Sequence, residues 1–141
     1  VPVPGDELID WEAYGECRAE LGADFVRILG YFREDGTKSV QRIEEAMRAM
    51  NAVALVIPAH TLKGEARQFG AEPLADLAEL IETGARTCIE HRDRPDALIA
   101  EVVKLRPLFE ESLALLERES NPLVERRSRP PLQAAGTFGR A

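Results

Sequence analysis

Apolar residues recur every three or four positions along most of the chain, and no alternating apolar/polar stretch bounded by turn residues occurs. That pattern predicts helices and no sheet. The longest stripe is Phe25, Ile28, Leu29, Phe32, Val40, Ile43, Met47 and Met50, which predicts a helix over residues 23–50. Asp35-Gly36 falls inside it. Glycine in a helix interior costs about 1 kcal/mol relative to alanine, but the stripe stays in phase on both sides, so one continuous helix is expected. Asn51 is a suitable N-cap for a third helix over 52–69, which Gly70 would end. Pro73 suits the first turn of a fourth helix, 73–92, with its stripe at Leu74, Leu77, Ala78, Ile81, Ala85, Cys88 and Ile89. After a break at Arg94-Pro95-Asp96, Leu98, Val102, Leu105, Phe109, Leu113 and Leu116 predict a fifth helix over 96–119. Pro107 should kink that helix or remove one hydrogen bond. The least regular segment is the first, 6–21, interrupted by Gly15.

Four long amphipathic helices joined by short loops are buried most simply in an antiparallel, up-and-down four-helix bundle. The fold expected is therefore all-α, with the short extra N-terminal helix covering one end. The chain has 141 residues, enough for one domain with a core that needs neither disulfides nor a structural metal. Its net charge is −7, but the distribution is uneven: residues 1–119 sum to −10 and residues 120–141 to +3. The division expected is a bundle domain over 1–119 and a disordered basic tail over 120–141. An acidic body argues against nucleic-acid binding. The longest apolar run, 52–59, has eight residues including a proline, too short to cross a membrane. The first residues have neither the basic nor the apolar region of a signal peptide, so a cytoplasmic location is expected. Cys17 and Cys88 form no metal-binding pair, and His60 and His91 stand far apart, so no metal site is expected.

The third helix carries the chemistry. At about 100° per residue, with His60 at zero, Leu55, Ala59, Leu62, Ala66 and Phe69 fall between roughly 180° and 260° and form the core face. Val56, Lys63, Gly64 and Arg67 fall within about 60° of His60. The imidazole thus points away from the core, with two cations and a glycine around it. A surface histidine without a task would occupy the same position. Gly64 adds information, because a helix-interior glycine one turn from His60 leaves bare backbone on which another protein could approach the ring. Lys63 and Arg67 disfavour protonation of the imidazole and keep a lone pair available. They would also stabilise an anion placed on the ring.

The stretch Ala59-His60-Thr61-Leu62-Lys63-Gly64, followed by Phe69-Gly70, Leu74 and the Leu-Ala-Glu-Leu-Ile-Glu run ending at Glu82, resembles the signature of histidine-containing phosphotransfer (HPt) domains. The resemblance covers roughly residues 7–119 and implies a four-helix bundle that relays phosphoryl groups between receiver-domain aspartates in a two-component multi-step phosphorelay. It implies that His60 is the phospho-acceptor, attacking through Nε2, and that Lys63 neutralises the phosphoryl oxygens. Gly64 matches the small residue that admits the receiver. Glu82 matches the position whose side-chain oxygen accepts a hydrogen bond from Nδ1–H, and Arg86 would add positive charge nearby. Glu82 stands at the edge of its helix's apolar stripe, a position that can face a neighbouring helix without being buried. The implied partners are response-regulator receivers or the receiver of a hybrid histidine kinase, which bring their own Mg²⁺. The chain itself would need no cofactor and would act as a monomer. Pro58, two residues before His60, departs from the common pattern and should bend the helix there.

No Gly-rich phosphate loop, Walker A or kinase motif is present, so a phosphocarrier rather than an ATP-dependent kinase is expected. Docking would be centred on exposed apolar side chains beside His60, with Val56 as the candidate, over a small contact of about 1,200 Å² or less. The alternative is a helical module that binds a receiver or another partner without carrying phosphate. A di-metal bundle would need Glu three residues before each histidine; Ile57 and Cys88 stand there. His91 reads as a surface residue at a helix C-terminus.

Overall fold

Asp10 opens the first regular element of the computed structural model, which describes residues 7–121. Its carboxylate accepts from the backbone N–H groups of Glu12 and Ala13 at 3.1 and 3.2 Å. The helix therefore starts at Trp11, several residues later than the apolar pattern implies, because the cap sets the boundary. The helices are α1 (Trp11–Leu21), α2 (Phe25–Arg48), α3 (Ala52–Gln68), α4 (Glu72–His91) and α5 (Ile99–Ser120). Single 3-10 turns at Gly22–Asp24 and Pro95–Leu98 precede α2 and α5. No strand occurs among the described residues. The expected tail beyond Asn121, and the expected start of the first helix at residue 6, lie outside the described residues.

The proposed helix stops hold for local reasons. Asn51 caps α3 by accepting from Ala54 N–H at 3.1 Å. Gly70 adopts φ +85°, and its carbonyl accepts from Asp10 N–H at 2.7 Å. A Cβ there would lie 2.5 Å from the Asp10 carbonyl oxygen, so the α3–α4 turn and the entry to α1 both require glycine. α2 runs unbroken through Asp35-Gly36. A Cβ at Gly36 would meet the Phe109 ring at 2.5 Å, so this glycine lets α5 approach α2. α3 and α5 likewise continue through Pro58 and Pro107; each proline removes a backbone donor without ending its helix.

Contacts between neighbouring helices run in opposite senses. Arg33 of α2 pairs with Glu117 of α5, while Glu44 pairs with Arg106. Across α3 and α4, His60 meets Glu82 while Arg67 meets Asp76. The bundle is thus antiparallel, in the ring order α2, α3, α4, α5, with α5 closing against α2. α1 covers one end, where Trp11, Tyr14, Phe25, Phe69, Phe32 and Phe109 form a chain of ring contacts 5.1–5.8 Å apart. Aromatic packing of this kind ties α1, α2, α5 and the C-terminal end of α3 together.

The stripes of α3 and α5 are buried throughout. At the ends of the α2 stripe, Ile28 and Met50 are only half-buried, and Ile89 of α4 is exposed.

Candidate functional site

Leu55, Ala59, Leu62, Ala66 and Phe69 are all buried, so the core face of α3 is the one its wheel defines. The opposite face carries His60, whose side chain is 59% exposed. A Cβ added at Gly64 would meet nothing within 4 Å. The bare patch beside the imidazole is therefore real, and no neighbouring side chain fills it.

Glu82 on α4 reaches His60 from below. His60 Nδ1 lies 3.0 Å from Glu82 Oε2. Arg86, one turn further along α4, donates to the same oxygen through Nη2 at 3.0 Å and Nε at 3.3 Å. Lys63 Nζ stands 2.9 Å from Oε1, an ion contact rather than a well-directed hydrogen bond. Glu82 is only 7% exposed, contrary to the unburied edge position expected of it. The wheel of α4 places the residue at the margin of the stripe, but α3 covers that margin and seals the carboxylate in the seam.

Burial alone would raise the Glu82 pKa; the close Lys63 ammonium and the hydrogen bonds from Arg86 and His60 outweigh it and hold the carboxyl down at about 2. Glu82 is therefore an anion at neutral pH. A proton on His60 Nδ1 donated to an anionic oxygen leaves the Nε2 lone pair free. Among the described residues nothing hydrogen-bonds to Nε2.

Two expectations need correction. Val56 is buried and cannot centre a docking face. It lies on the same flank of α3 as Lys63 and Arg67, and that flank packs against α4. Arg67 is not a free cation beside the imidazole: its Nη2 bonds Asp76 and Glu79 at 3.0 Å each, and its Nε stands 3.5 Å from Glu72. It clamps α3 to α4 two turns below His60. The two cations nearest the ring, Lys63 and Arg86, both meet Glu82.

The apolar residues that do share the His60 face are Val53, 66% exposed, and Ile57, 70% exposed. The same wheel puts them at about 20° and 60° from His60, so the sequence contained the signal. Ile57, Pro58 and Thr61 line a cleft of about 300 Å³ between α3 and α2, whose other wall includes Asp35, Lys38 and Arg42. His91 ends α4, exposed, with Nδ1 3.1 Å from the Thr87 carbonyl oxygen. Cys17 and Cys88 are free thiols. No cluster of three or more metal-ligating side chains occurs among the described residues, and no helix among them is long and apolar enough to cross a membrane.

The family model for the Hpt domain matches residues 27–119, which include every residue of the Glu82 cluster. The bundle is similar in fold to the crystal structure of histidine-containing phosphotransfer protein B (HptB) from Pseudomonas aeruginosa PAO1. The TM-score is 0.70 at 22% identity, covering 84% of this chain and 96% of that one. No curated protein matches the sequence.

Proposed function

Because the chain belongs to the Hpt domain family and has a histidine phosphotransfer role in a phosphorelay, we propose that His60 is the residue that carries the phosphoryl group. The observation that carries this reading is an outward imidazole whose Nδ1 faces Glu82 and whose flank at Gly64 is open. Nε2 attacks the phosphorus of a receiver phosphoaspartate in line. The N–P bond forms as the P–O bond to the aspartate breaks, and the carboxylate keeps the electron pair. The reverse step delivers the group to a second receiver.

Little covalent work is asked of the protein; it must align the nucleophile and balance charge. Glu82 fixes the tautomer and aims the ring. Lys63 and Arg86 lie close enough to Glu82 to turn toward phosphoryl oxygens when these arrive. Gly64 admits the edge of the receiver's acidic pocket.

Hpt domains interact with receiver domains of response regulators. For this chain we assign docking to Val53 and Ile57 as the apolar centre, with Lys38 and Arg42 at the rim facing the partner's acids. The receiver belongs to a response regulator or a hybrid histidine kinase and supplies its own Mg²⁺. The chain acts as a cytoplasmic monomer without ATP-dependent kinase activity.

Incubation with a phosphorylated receiver tests the reading. Acid-labile, alkali-stable label should appear on the chain and be absent from His60→Gln; binding without label would instead favour a non-catalytic interaction module. Lys63→Ala and Gly64→Gln should each slow transfer by roughly tenfold or more with helicity retained. Val53→Asp or Ile57→Asp should weaken receiver binding by roughly tenfold.

A further inference from the structure

Transfer to His60 creates a charge problem within the ring. When Nε2 bonds to phosphorus no proton leaves the imidazole. A ring still protonated on Nδ1 becomes a cation bearing a phosphoryl dianion. Loss of the Nδ1 proton would neutralise the ring but spoil it as a leaving group. From the protonated ring, cleavage of the P–N bond returns the electron pair to a neutral imidazole. From the deprotonated ring, the same cleavage must expel an imidazolate. The Nδ1 proton therefore decides whether the phosphoryl group is mobile.

In this chain the atom facing Nδ1 is a carboxylate oxygen, Glu82 Oε2, at 3.0 Å. An amide oxygen in the same place would accept the same hydrogen bond without bringing a charge. The carboxylate is sealed between α3 and α4, and Lys63 and Arg86 hold it in position. These two cations oppose a positive ring, but both spend charge on Glu82. Arg67 is engaged by α4 carboxylates, and α2 contributes Asp35, Lys38 and Arg42 beyond Ile57 and Thr61. Among the described residues, Glu82 is the charged group hydrogen-bonded to the imidazole.

We propose that the Glu82 carboxylate holds the proton on Nδ1 of phosphorylated His60, as a positioning residue that keeps the phosphoryl group transferable at neutral and mildly alkaline pH. This inference rests on His60 being the acceptor. An amide-bearing variant would form a phosphohistidine that loses its mobility at lower pH.

The full chain, phosphorylated directly with phosphoramidate, provides the test. Phosphorus NMR reports ring protonation, and intact mass reports phosphoryl loss, from about pH 6 to about pH 10. In Glu82→Gln the protonation midpoint should fall by roughly one pH unit, slowing phosphoryl loss roughly tenfold above it. In Arg86→Gln the midpoint should rise, because a cation has been removed. Loosening of the site without a charge effect would move both variants the same way. Circular dichroism establishes that each variant is folded; if Glu82→Gln does not fold, the direction in Arg86→Gln decides alone. A midpoint unchanged in folded Glu82→Gln, or unchanged or lowered in Arg86→Gln, overturns the proposal. Label that a phosphorylated receiver still transfers to His60→Gln would overturn the acceptor assignment instead.

Discussion

Two glutamates lie in the seams on either side of α3, and their electrostatic states are opposite. Glu82 enters the α3–α4 seam and meets Lys63, Arg86 and His60, which hold its pKa at about 2 despite burial. Glu65 is half-buried on the other flank, and no hydrogen-bond partner reaches its buried Oε1. Burial, and secondarily the charge of Asp35 on α2, push its pKa up to about 7. The desolvation penalty has the same sign at both sites. The partners decide the outcome: cations convert one buried carboxyl into a dependable anion, while the other retains its proton until near neutrality. The site uses the seam in which the charge is secure.

The comparison also predicts opposite pH dependences. Glu82 has a folded-state pKa below its ordinary value of 4.5, so its contribution to stability is present above that value and is lost as pH falls toward 2. Glu65 has a raised folded-state pKa. Its contribution is present below 4.5 and is lost as pH rises through 7.

The largest effect is expected from Glu82→Ala, which leaves Lys63 and Arg86 without their shared anion and opens a small void. Urea denaturation at about pH 7 should show a loss of about 2–3 kcal/mol, shrinking as the pH approaches 2. An undiminished difference in acid would break the assignment of Glu82 as the anion. Glu65→Gln should act in the opposite direction, stabilising the chain by about 1–2 kcal/mol at about pH 8, with the gain vanishing below about pH 4.5. Equal gains at both pH values would mean that packing, not ionisation, is responsible. The smallest effect is expected from Asp35→Asn. Because Asp35 is the lesser of the two causes raising the Glu65 pKa, thermal unfolding at about pH 8 should report a gain of only about 0.5 kcal/mol. A gain matching that of Glu65→Gln would make Asp35 the main cause.

Much of this arrangement was legible in one dimension. The core face of α3, the continuity of α2 through Gly36 and the outward direction of His60 all follow from a period of 3.6 and a few capping residues. The same wheel carries Val53 and Ile57 on the His60 face, a signal as strong as that of Val56. Other features had no signal on their own helix. A wheel shows an angle but not which neighbour covers it. Val56 and Glu82 both sit on flanks that would be exposed on a single helix, and both are buried because α3 and α4 pack there. Arg67 lies at the right angle for a cation beside His60, but three α4 carboxylates stand within its reach.

Periodicity and caps are local properties, fixed by the rise and turn of the helix, and they were enough to define the helices, the bundle and the outward direction of His60. Tertiary structure alone decided which charges met. Seam burial depends on helix spacing, and the hydrogen bond at the site depends on side chains 22 residues apart, His60 and Glu82, reaching one point. Helix periodicity contains no information about that convergence. For that reason the imidazole was visible in the periodicity and Glu82 only through the family resemblance, while the burial of that carboxylate and its sharing by two cations were established by the fold.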